Sequence, residues 1–433
     1  MDRQLMSKLV EWKNSHRKKP IIINGARQVG KTWLLKEFGT TNFNNVAYVN
    51  FDNNETMRML FEEGYDISRL LMGIQAETGE RIVAGKTLII FDEIQECPKA
   101  LTSLKYFCEN APDQMIAAAG SLLGLAVHHG TGYPVGNVTT LDLYPLNFRE
   151  FLDATENQLL RELIDTNDVT ATSAFSSKLT SLLRQYYFIG GMPEAVAAFA
   201  KSNVLQDARE VQNQILSDYH RDFSKHLSVS ETEHTLAVWN SIPAHLGLEN
   251  KKFIFGHIKE GARAKAYRAA ITWLTEAGLT TYVRRVSKSG VPLSAYADES
   301  SFKLFTLDVG LLGAMAGLDA GSVISGSKVF TEFKGSLTEQ YVCQQLVSDC
   351  KLQPFYWSAE NSRGEIDFLV QHECQIYPIE VKAEENLKSK SLRAFNEKYA
   401  NVKPRRFSLS GYRDEGWMRN VPLFAIGNTR NWE

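Results

Sequence analysis

The sequence predicts an α/β protein: a doubly wound parallel sheet of the P-loop NTPase type, followed by a helical lid, a winged-helix-like unit and a further α/β unit. Three observations carry this. A glycine-rich loop, Gly25-Ala26-Arg27-Gln28-Val29-Gly30-Lys31-Thr32, stands between a short apolar strand and a helix. A second apolar run ends in an acidic pair about 60 residues later. Beyond residue 230 a basic helix-plus-hairpin pattern precedes strands that end in Asp367 and in Glu380-Val381-Lys382.

The elements follow in order. Residues Asp2 to Ser15 place Leu5, Leu9 and Trp12 on one helical face, and Pro20 stops that helix before the strand Ile21-Ile22-Ile23. The loop then lets successive N–H groups converge on phosphates, and the helix that starts near Lys31 adds the positive end of its dipole. Gly25, Arg27, Gln28, Val29, Gly30, Lys31 and Thr32 are the candidate contacts to ATP. In that setting Lys31 neutralises β/γ-phosphate oxygens and the Thr32 hydroxyl ligates Mg²⁺. Val46 to Phe51 is the next strand. Thr87-Leu88-Ile89-Ile90-Phe91 is a run typical of a strand buried on both faces, and it ends in Asp92-Glu93. Asp92 is expected to hold Mg²⁺ through its water shell, and Glu93 to polarise the attacking water. That glutamate argues for hydrolysis over small-molecule phosphorylation, where a water activator is a liability. Met115 to Ala119 and Val138 to Leu143 complete the sheet. Ser121 has two readings, a polar sensor beside the γ-phosphate or a helix N-cap.

Composition sets bounds on the rest. The chain has 433 residues, 44% of them hydrophobic and 23% charged, which excludes disordered and fibrous classes and leaves room for several domains. The net charge of −2 means that a polyanionic partner would have to be met by a local patch. Met1 to Pro20 is charged throughout and does not read as a secretory signal. Met115 to Val127, broken by Gly120 and Ser121, falls short of the roughly 20 residues needed to cross a bilayer. No membrane association is expected. Cys97, Cys108, Cys343, Cys350 and Cys374 are odd in number without a CxxC pair, which reads as reduced core thiols of a cytoplasmic protein. The adjacent His128 and His129 read as a polar loop rather than as metal ligands.

After Phe151 the composition favours helix, so Leu152 to about Leu227 is expected to be a lid or connector, with Pro193 at a helix start. From Lys251 to Val291 nine basic residues face two acidic ones, a local charge of +7. Ala262 to Ala277 scans as a helix, Leu279 to Val286 as a strand, and Leu293 to Ala297 as its partner. A helix followed by a hairpin with a basic tip is the outline of a winged helix. Arg263, Lys265, Arg268, Arg284, Arg285 and Lys288 are its candidate DNA contacts, the other reading being a docking face for an acidic surface. In the last hundred residues, Glu339 lies on a helix, Asp367 on the strand Glu365 to Val370, and Glu380 and Lys382 on the next strand. Asp367 and Glu380 at adjacent strand ends could share one divalent cation with help from Glu339, and Lys382, on the face of Glu380 because strand periodicity is two, would orient or deprotonate the attacking water.

These residues resemble a family. The loop from Gly25 to Thr32, Phe91-Asp92-Glu93-Ile94-Gln95, Gly120-Ser121 and Leu143-Tyr144-Pro145-Leu146-Asn147-Phe148-Arg149-Glu150-Phe151 are similar to motifs of prokaryotic AAA+-like (ASCE P-loop) ATPases. Gly190-Gly191-Met192-Pro193-Glu194, Tyr219-His220-Arg221-Asp222, Leu307-Asp308-Val309-Gly310-Leu311 and Glu365-Ile366-Asp367-Phe368 extend the resemblance over essentially the whole chain. Members carry a C-terminal domain of unassigned function that is similar to the PD-(D/E)XK nuclease fold. Many have a Gly-Arg pair before the last strand, whereas here Gly136 is followed by Asn137. An arginine finger therefore cannot come from that position, and Arg221 is the substitute considered.

The resulting expectation is an ATPase domain over 1–151, a helical lid over 152–230, a winged-helix-like domain over 231–326 and a nuclease-like domain over 327–433. Nucleotide state would control the C-terminal half, with DNA, a protein partner or a second copy of the chain as its target. The rival reading is a nucleotide-dependent switch that acts through protein–protein contacts without nuclease activity. A metabolic kinase is a third, for which the Asp92-Glu93 pair and the long C-terminal half are poor evidence.

Overall fold

The computed structural model describes residues 3–16, 18–121, 133–321, 331–359, 364–383 and 389–432. His128 and His129 lie outside them. The chain divides into two compact units, Asp2–Tyr144 with Glu276–Gly278, and Pro145–Thr275 with Leu279–Glu433.

The first unit alternates as its apolar runs predict. Helix α1 (Leu5–Asn14) buries Leu9 and Trp12. Strand β1 (Ile21–Asn24), helix α2 (Lys31–Asn42), strand β2 (Asn45–Asn50), helices α3 (Glu55–Glu62) and α4 (Ile67–Thr78), strand β3 (Thr87–Asp92), helix α5 (Pro98–Asn110) and strands β4 (Met115–Gly120) and β5 (Thr139–Asp142) follow. All pairings are parallel, in the order β2-β3-β4-β1-β5. Strands covered on both faces must be apolar throughout, and accordingly Ile21, Ile22, Ile23, Leu88, Ile89, Ile90 and Phe91 have no exposed surface. Phe51, Phe61 and Phe91 meet edge-to-face at 5.5–5.6 Å. Truncating one such ring costs about 3–5 kcal/mol. The consequence for the site is topological: β4 lies between the strand that leads into the glycine loop and the strand that ends in Asp92.

In the second unit, helices run from Phe148 through Leu246, beyond the expected end near Leu227. Three of the motifs that carried the family resemblance, those holding Leu146, Gly191 and Asp308, converge here in one buried node. The Leu146 amide donates to the Gly191 carbonyl (2.7 Å). The Gly191 amide donates to Asp308 Oδ2 (2.6 Å) and the Leu311 amide to Asp308 Oδ1 (3.0 Å). Gln344 Nε2 donates to both Asp308 Oδ2 and the Tyr186 hydroxyl. Gly191 is required by close approach, since a Cβ there would stand 2.0 Å from the Leu146 carbonyl oxygen.

The expected hairpin exists with a shifted second strand. Strand β6 (Thr280–Val286) pairs antiparallel with β7 (Ala297–Thr306), and Leu293–Tyr296 is a 3-10 turn after Pro292 with Leu293 buried. Proline has no N–H to give a ladder, which moves the strand start past it. The hairpin is also not a freestanding wing. The other edge of β6 pairs in parallel with β8 (Phe355–Ser358), through Arg284↔Phe355 and Arg285↔Tyr356. With β9 (Glu365–His372), β10 (Gln375–Lys382), β11 (Arg405–Ser408), β12 (Arg413–Asp414) and β13 (Arg419–Pro422) it forms one sheet of order β12-β13-β11-β10-β9-β8-β6-β7. The expected 231–326 and 327–433 segments thus share a sheet. Cys97 and Cys343 are buried thiols as expected, but Cys374 is exposed in the β9–β10 turn. No helix among the described residues is long and apolar enough to cross a membrane.

Candidate nucleotide-binding site

The loop after β1 is shaped by close approach and by left-handed backbone. A Cβ on Gly25 would lie 2.2 Å from the Leu143 carbonyl oxygen, so only glycine fits. Gln28 (φ 66°) and Gly30 (φ 92°) both turn left-handed, and α2 starts at Lys31 directly after. Val29 is fully buried, and its carbonyl accepts from Arg3 Nη1 at 2.9 Å. Arg3 also donates to the Tyr144 carbonyl, which makes this buried arginine a clamp on the loop. The Lys31 ammonium donates to the carbonyls of Gly25 (2.8 Å) and Ala26 (2.7 Å). Burial brings the Lys31 pKa down to about 8, opposed by the nearby carboxylates of Glu93 and Asp92.

Asp92 closes β3 in register with Asn50 of β2. Its Oδ2 accepts from the Thr32 hydroxyl and from the Tyr48 phenol, each at 2.8 Å, and its Oδ1 from the Glu93 amide at 3.1 Å. A hydroxyl and a carboxylate one hydrogen bond apart are the oxygen pair that the Mg²⁺ of a bound nucleotide uses, so the residues fit that ion. Burial first and the Asp92 hydrogen bond second push the Tyr48 phenol well above its ordinary pKa. The Lys36 ammonium sits 3.7 Å from the centre of its ring. Glu93 takes a left-handed conformation (φ 49°, ψ 43°), and its Oε2 accepts from Gln95 Nε2. Ser121 is buried at the end of β4, where Arg27 Nε donates to its Oγ at 3.3 Å. The loop, the acidic pair and the β4 end are therefore gathered at the carboxyl ends of the three central strands of the parallel sheet. Tyr48, Gln95 and Arg3 are additions that sequence reasoning missed. The tyrosine sits in an apolar run and reads as core, and nothing local marks the arginine.

The remaining candidates behave less uniformly. Arg221 is an exposed side chain paired with Asp218 at 3.3 Å on its own helix. Arg263, Lys265 and Arg268 are exposed around the helix Ala264–Glu276. Arg284 is paired with Glu299 at 2.7 Å, and Arg285 donates to the Ser358 carbonyl and lies 3.6 Å from Asp298. Lys288 lies over the Tyr296 ring. The arginine pair is thus already engaged by carboxylates, in contrast to the free basic face that its sequence suggests.

Glu339 lies close enough to act on Asp367, and the β9–β10 pairing sets Asp367 against the strand that carries Glu380, but the three do not form a metal set. Among the described residues no group of three His, Cys, Asp or Glu side chains is placed to hold one ion. Lysines stand beside the carboxylates: Lys251 on Glu339 (2.8 Å), Lys382 on Glu380 (2.8 Å) and the fully buried Lys303 on Glu365. Asp367 Oδ2 accepts from the Val381 amide at 2.7 Å. One oxygen each of Glu339 and Glu380 stays buried without a hydrogen bond. Burial, and then the nearby Glu339, raise the Asp367 pKa to about 7. Beside this cluster opens a polar cavity of about 320 Å³, lined among others by Lys252, Arg285, Ser301, Tyr356 and Glu365.

Comparison with known proteins adds the following. Residues 17–152 match the family described as AAA domain. Residues 180–322 match a domain of unknown function (DUF8612), and residues 334–421 a second one (DUF4143). No curated protein matches the chain. The Walker-type ATPase PABY2304 of Pyrococcus abyssi is similar in structure over 73% of this chain and 95% of its own, at 14% identity and a TM-score of 0.46. The ORC1 protein of Aeropyrum pernix, solved in complex with DNA, is similar over 73% and 91%, at 13% identity and a TM-score of 0.27. Cdc6p of Pyrobaculum aerophilum is similar over 75% and 93%, at 12% identity and a TM-score of 0.27. The family match and the loop geometry agree: the first unit has the fold of a P-loop ATPase, and the segment 17–152 matches an AAA domain.

Proposed function

We propose that the chain binds MgATP on the loop from Gly25 to Thr32, hydrolyses it, and uses nucleotide state to control what its second unit binds. The observation that carries the reading is the Thr32–Asp92 hydrogen bond, which joins the glycine loop to the acidic strand at the position a nucleotide-bound metal needs. Loop amides and the N-terminus of α2 receive the phosphates. Lys31 supplies a positive charge that binding of a triphosphate draws away from the Gly25 and Ala26 carbonyls. Thr32 and Asp92 hold Mg²⁺, which when bound offsets charge on the β- and γ-phosphates. Glu93 accepts the proton of the attacking water. Ser121, tied to Arg27, responds to the γ-phosphate from the end of β4.

The test is a pair of variants. Lys31→Ala is expected to lose MgATP binding, whereas Glu93→Gln should keep binding and lose about 10²–10⁴-fold in kcat. Normal turnover by Glu93→Gln would remove the assignment of the base.

For the second unit, Lys251 on Glu339 and the buried Lys303 on Glu365, both from outside the Glu380-Val381-Lys382 motif, favour a switch that grips a partner without cutting nucleic acid. DNA contact by Arg263, Lys265 and Arg268 is compatible with this, and so is a protein partner or self-association. ATPase activity measured with and without DNA separates them, since stimulation supports the nucleic-acid reading. Cleavage in Mn²⁺ that disappears in Asp367→Ala would instead establish a nuclease.

A further inference from the structure

Glu93 ends the acidic strand in a left-handed conformation and leads into a single 3-10 turn, Ile94–Glu96. Ile94 is fully buried and pins that turn to the core. Gln95, the next residue, folds its side chain back, and Nε2 donates to Glu93 Oε2. The carbonyl oxygen of the same amide, Oε1, is buried and accepts no hydrogen bond from the described residues. Every buried polar atom left without a partner disfavours the fold, and those that persist call for an explanation. Here the amide is oriented by one interaction, the bond to Glu93, at the expense of its own acceptor.

A general base that is free to rotate spends little time aimed at its water, and positioning is a large share of catalytic power. A carboxylate with one oxygen fixed by a donor presents the other in a defined direction. A neutral amide suits this task, because it donates without offering a proton of its own and does not titrate. We propose that Gln95 is a positioning residue for ATP hydrolysis, holding Glu93 Oε2 so that Oε1 faces the attacking water. The inference rests on the reading above, in which Glu93 is the base. In the step served, the water oxygen bonds to the γ-phosphorus and the bond from that phosphorus to the β,γ-bridging oxygen breaks. Its electron pair leaves on ADP, and the water proton passes to Glu93 Oε1.

The experiment compares steady-state ATPase kinetics, MgATP binding by calorimetry and melting temperature in the full chain for wild type, Gln95→Ala, Gln95→Glu and Glu93→Gln. Gln95→Ala is expected to lower kcat about tenfold to a hundredfold, a fraction of the 10²–10⁴ that a general base supplies, with KM, Kd and melting unchanged. Gln95→Glu keeps the size of the side chain but replaces the donor with a like charge, so its kcat should fall at least as far. A purely structural role predicts that Gln95→Glu resembles wild type. The proposal is overturned if either variant turns over at or above the wild-type rate while Glu93→Gln is inactive, or if the loss appears only in KM, Kd or melting. Wild-type turnover by Glu93→Gln would instead remove the reading underneath.

Discussion

Lys31 offers a direct measurement. Its ammonium is buried against two loop carbonyls, and burial brings its pKa from 10.5 to about 8. A bound triphosphate surrounds that nitrogen with negative charge and keeps it protonated, so binding above neutral pH must take up a proton. With a free-state pKa of about 8, the uptake should be about 0.1 proton at pH 7, about 0.5 at pH 8 and about 0.9 at pH 9. The affinity for MgATP should fall about elevenfold between low pH and pH 9, or about 1.4 kcal/mol. Isothermal titration in two buffers of different ionisation enthalpy reads the uptake from the difference in observed heats. Lys31→Arg, whose guanidinium stays charged, should bind without buffer dependence across the same range. Equal heats in both buffers at pH 8.5 for the wild type would falsify the argument. The same shift has a stability sign. The penalty of burying a charged Lys31 is fully present below pH 8 and fades as pH rises toward 10.5, so the ligand-free first unit should gain stability there.

Other outcomes follow from the second unit. Gly191→Ala places a Cβ 2.0 Å from the Leu146 carbonyl oxygen and should lower stability by about 3 kcal/mol, seen as an earlier urea midpoint. The Asp367 pKa is raised to about 7 from 3.8, so its ionisation opposes folding above pH 7 and that opposition disappears as pH falls toward 4. The wild type should therefore gain stability from this group on mild acidification, and Asp367→Asn should flatten the dependence in denaturant titrations at pH 7.5 and 5.5. For DNA binding, neutralising Arg263, Lys265 and Arg268 together should weaken affinity and lower the salt slope by about 3, whereas neutralising Arg284 and Arg285 should change it less. Fluorescence anisotropy against salt distinguishes the two, and an equal effect of both sets would remove the distinction drawn from the Glu299 and Asp298 pairs.

Much of the first unit was legible because its signals are local. The glycine loop, the apolar strands and the Asp92-Glu93 pair each occupy a few consecutive residues, and the hydrogen bond between Thr32 and Asp92 joins two motifs that were readable separately. Tyr48 was not readable, because a tyrosine in an apolar strand announces burial, and only the β2–β3 register brings its hydroxyl to Asp92. Gln95 belongs to the Phe91–Gln95 motif, yet its return to Glu93 depends on a 3-10 turn that has no distinct sequence mark. In the second unit the helix and the hairpin were foreseen, but their sheet partner lies some 70 residues further along the chain. Such long-range pairings depend on packing rather than on local propensity. Glu339, Asp367, Glu380 and Lys382 were foreseen on the expected helix and strands. The lysines that neutralise their neighbourhood come from elsewhere in the chain, Lys251 from the basic segment and Lys303 from the shifted strand β7.

The shared ladder between β6 and β8 has a mechanical consequence. Backbone hydrogen bonds and cross-strand side chains resist shear, so the arginine-bearing hairpin cannot flex independently of the strands that hold Asp367 and Glu380. A ligand pulling on one end of the ladder loads the other, and any motion that reaches this sheet shifts its arginine-bearing strand and its carboxylate-bearing strands together, as one part.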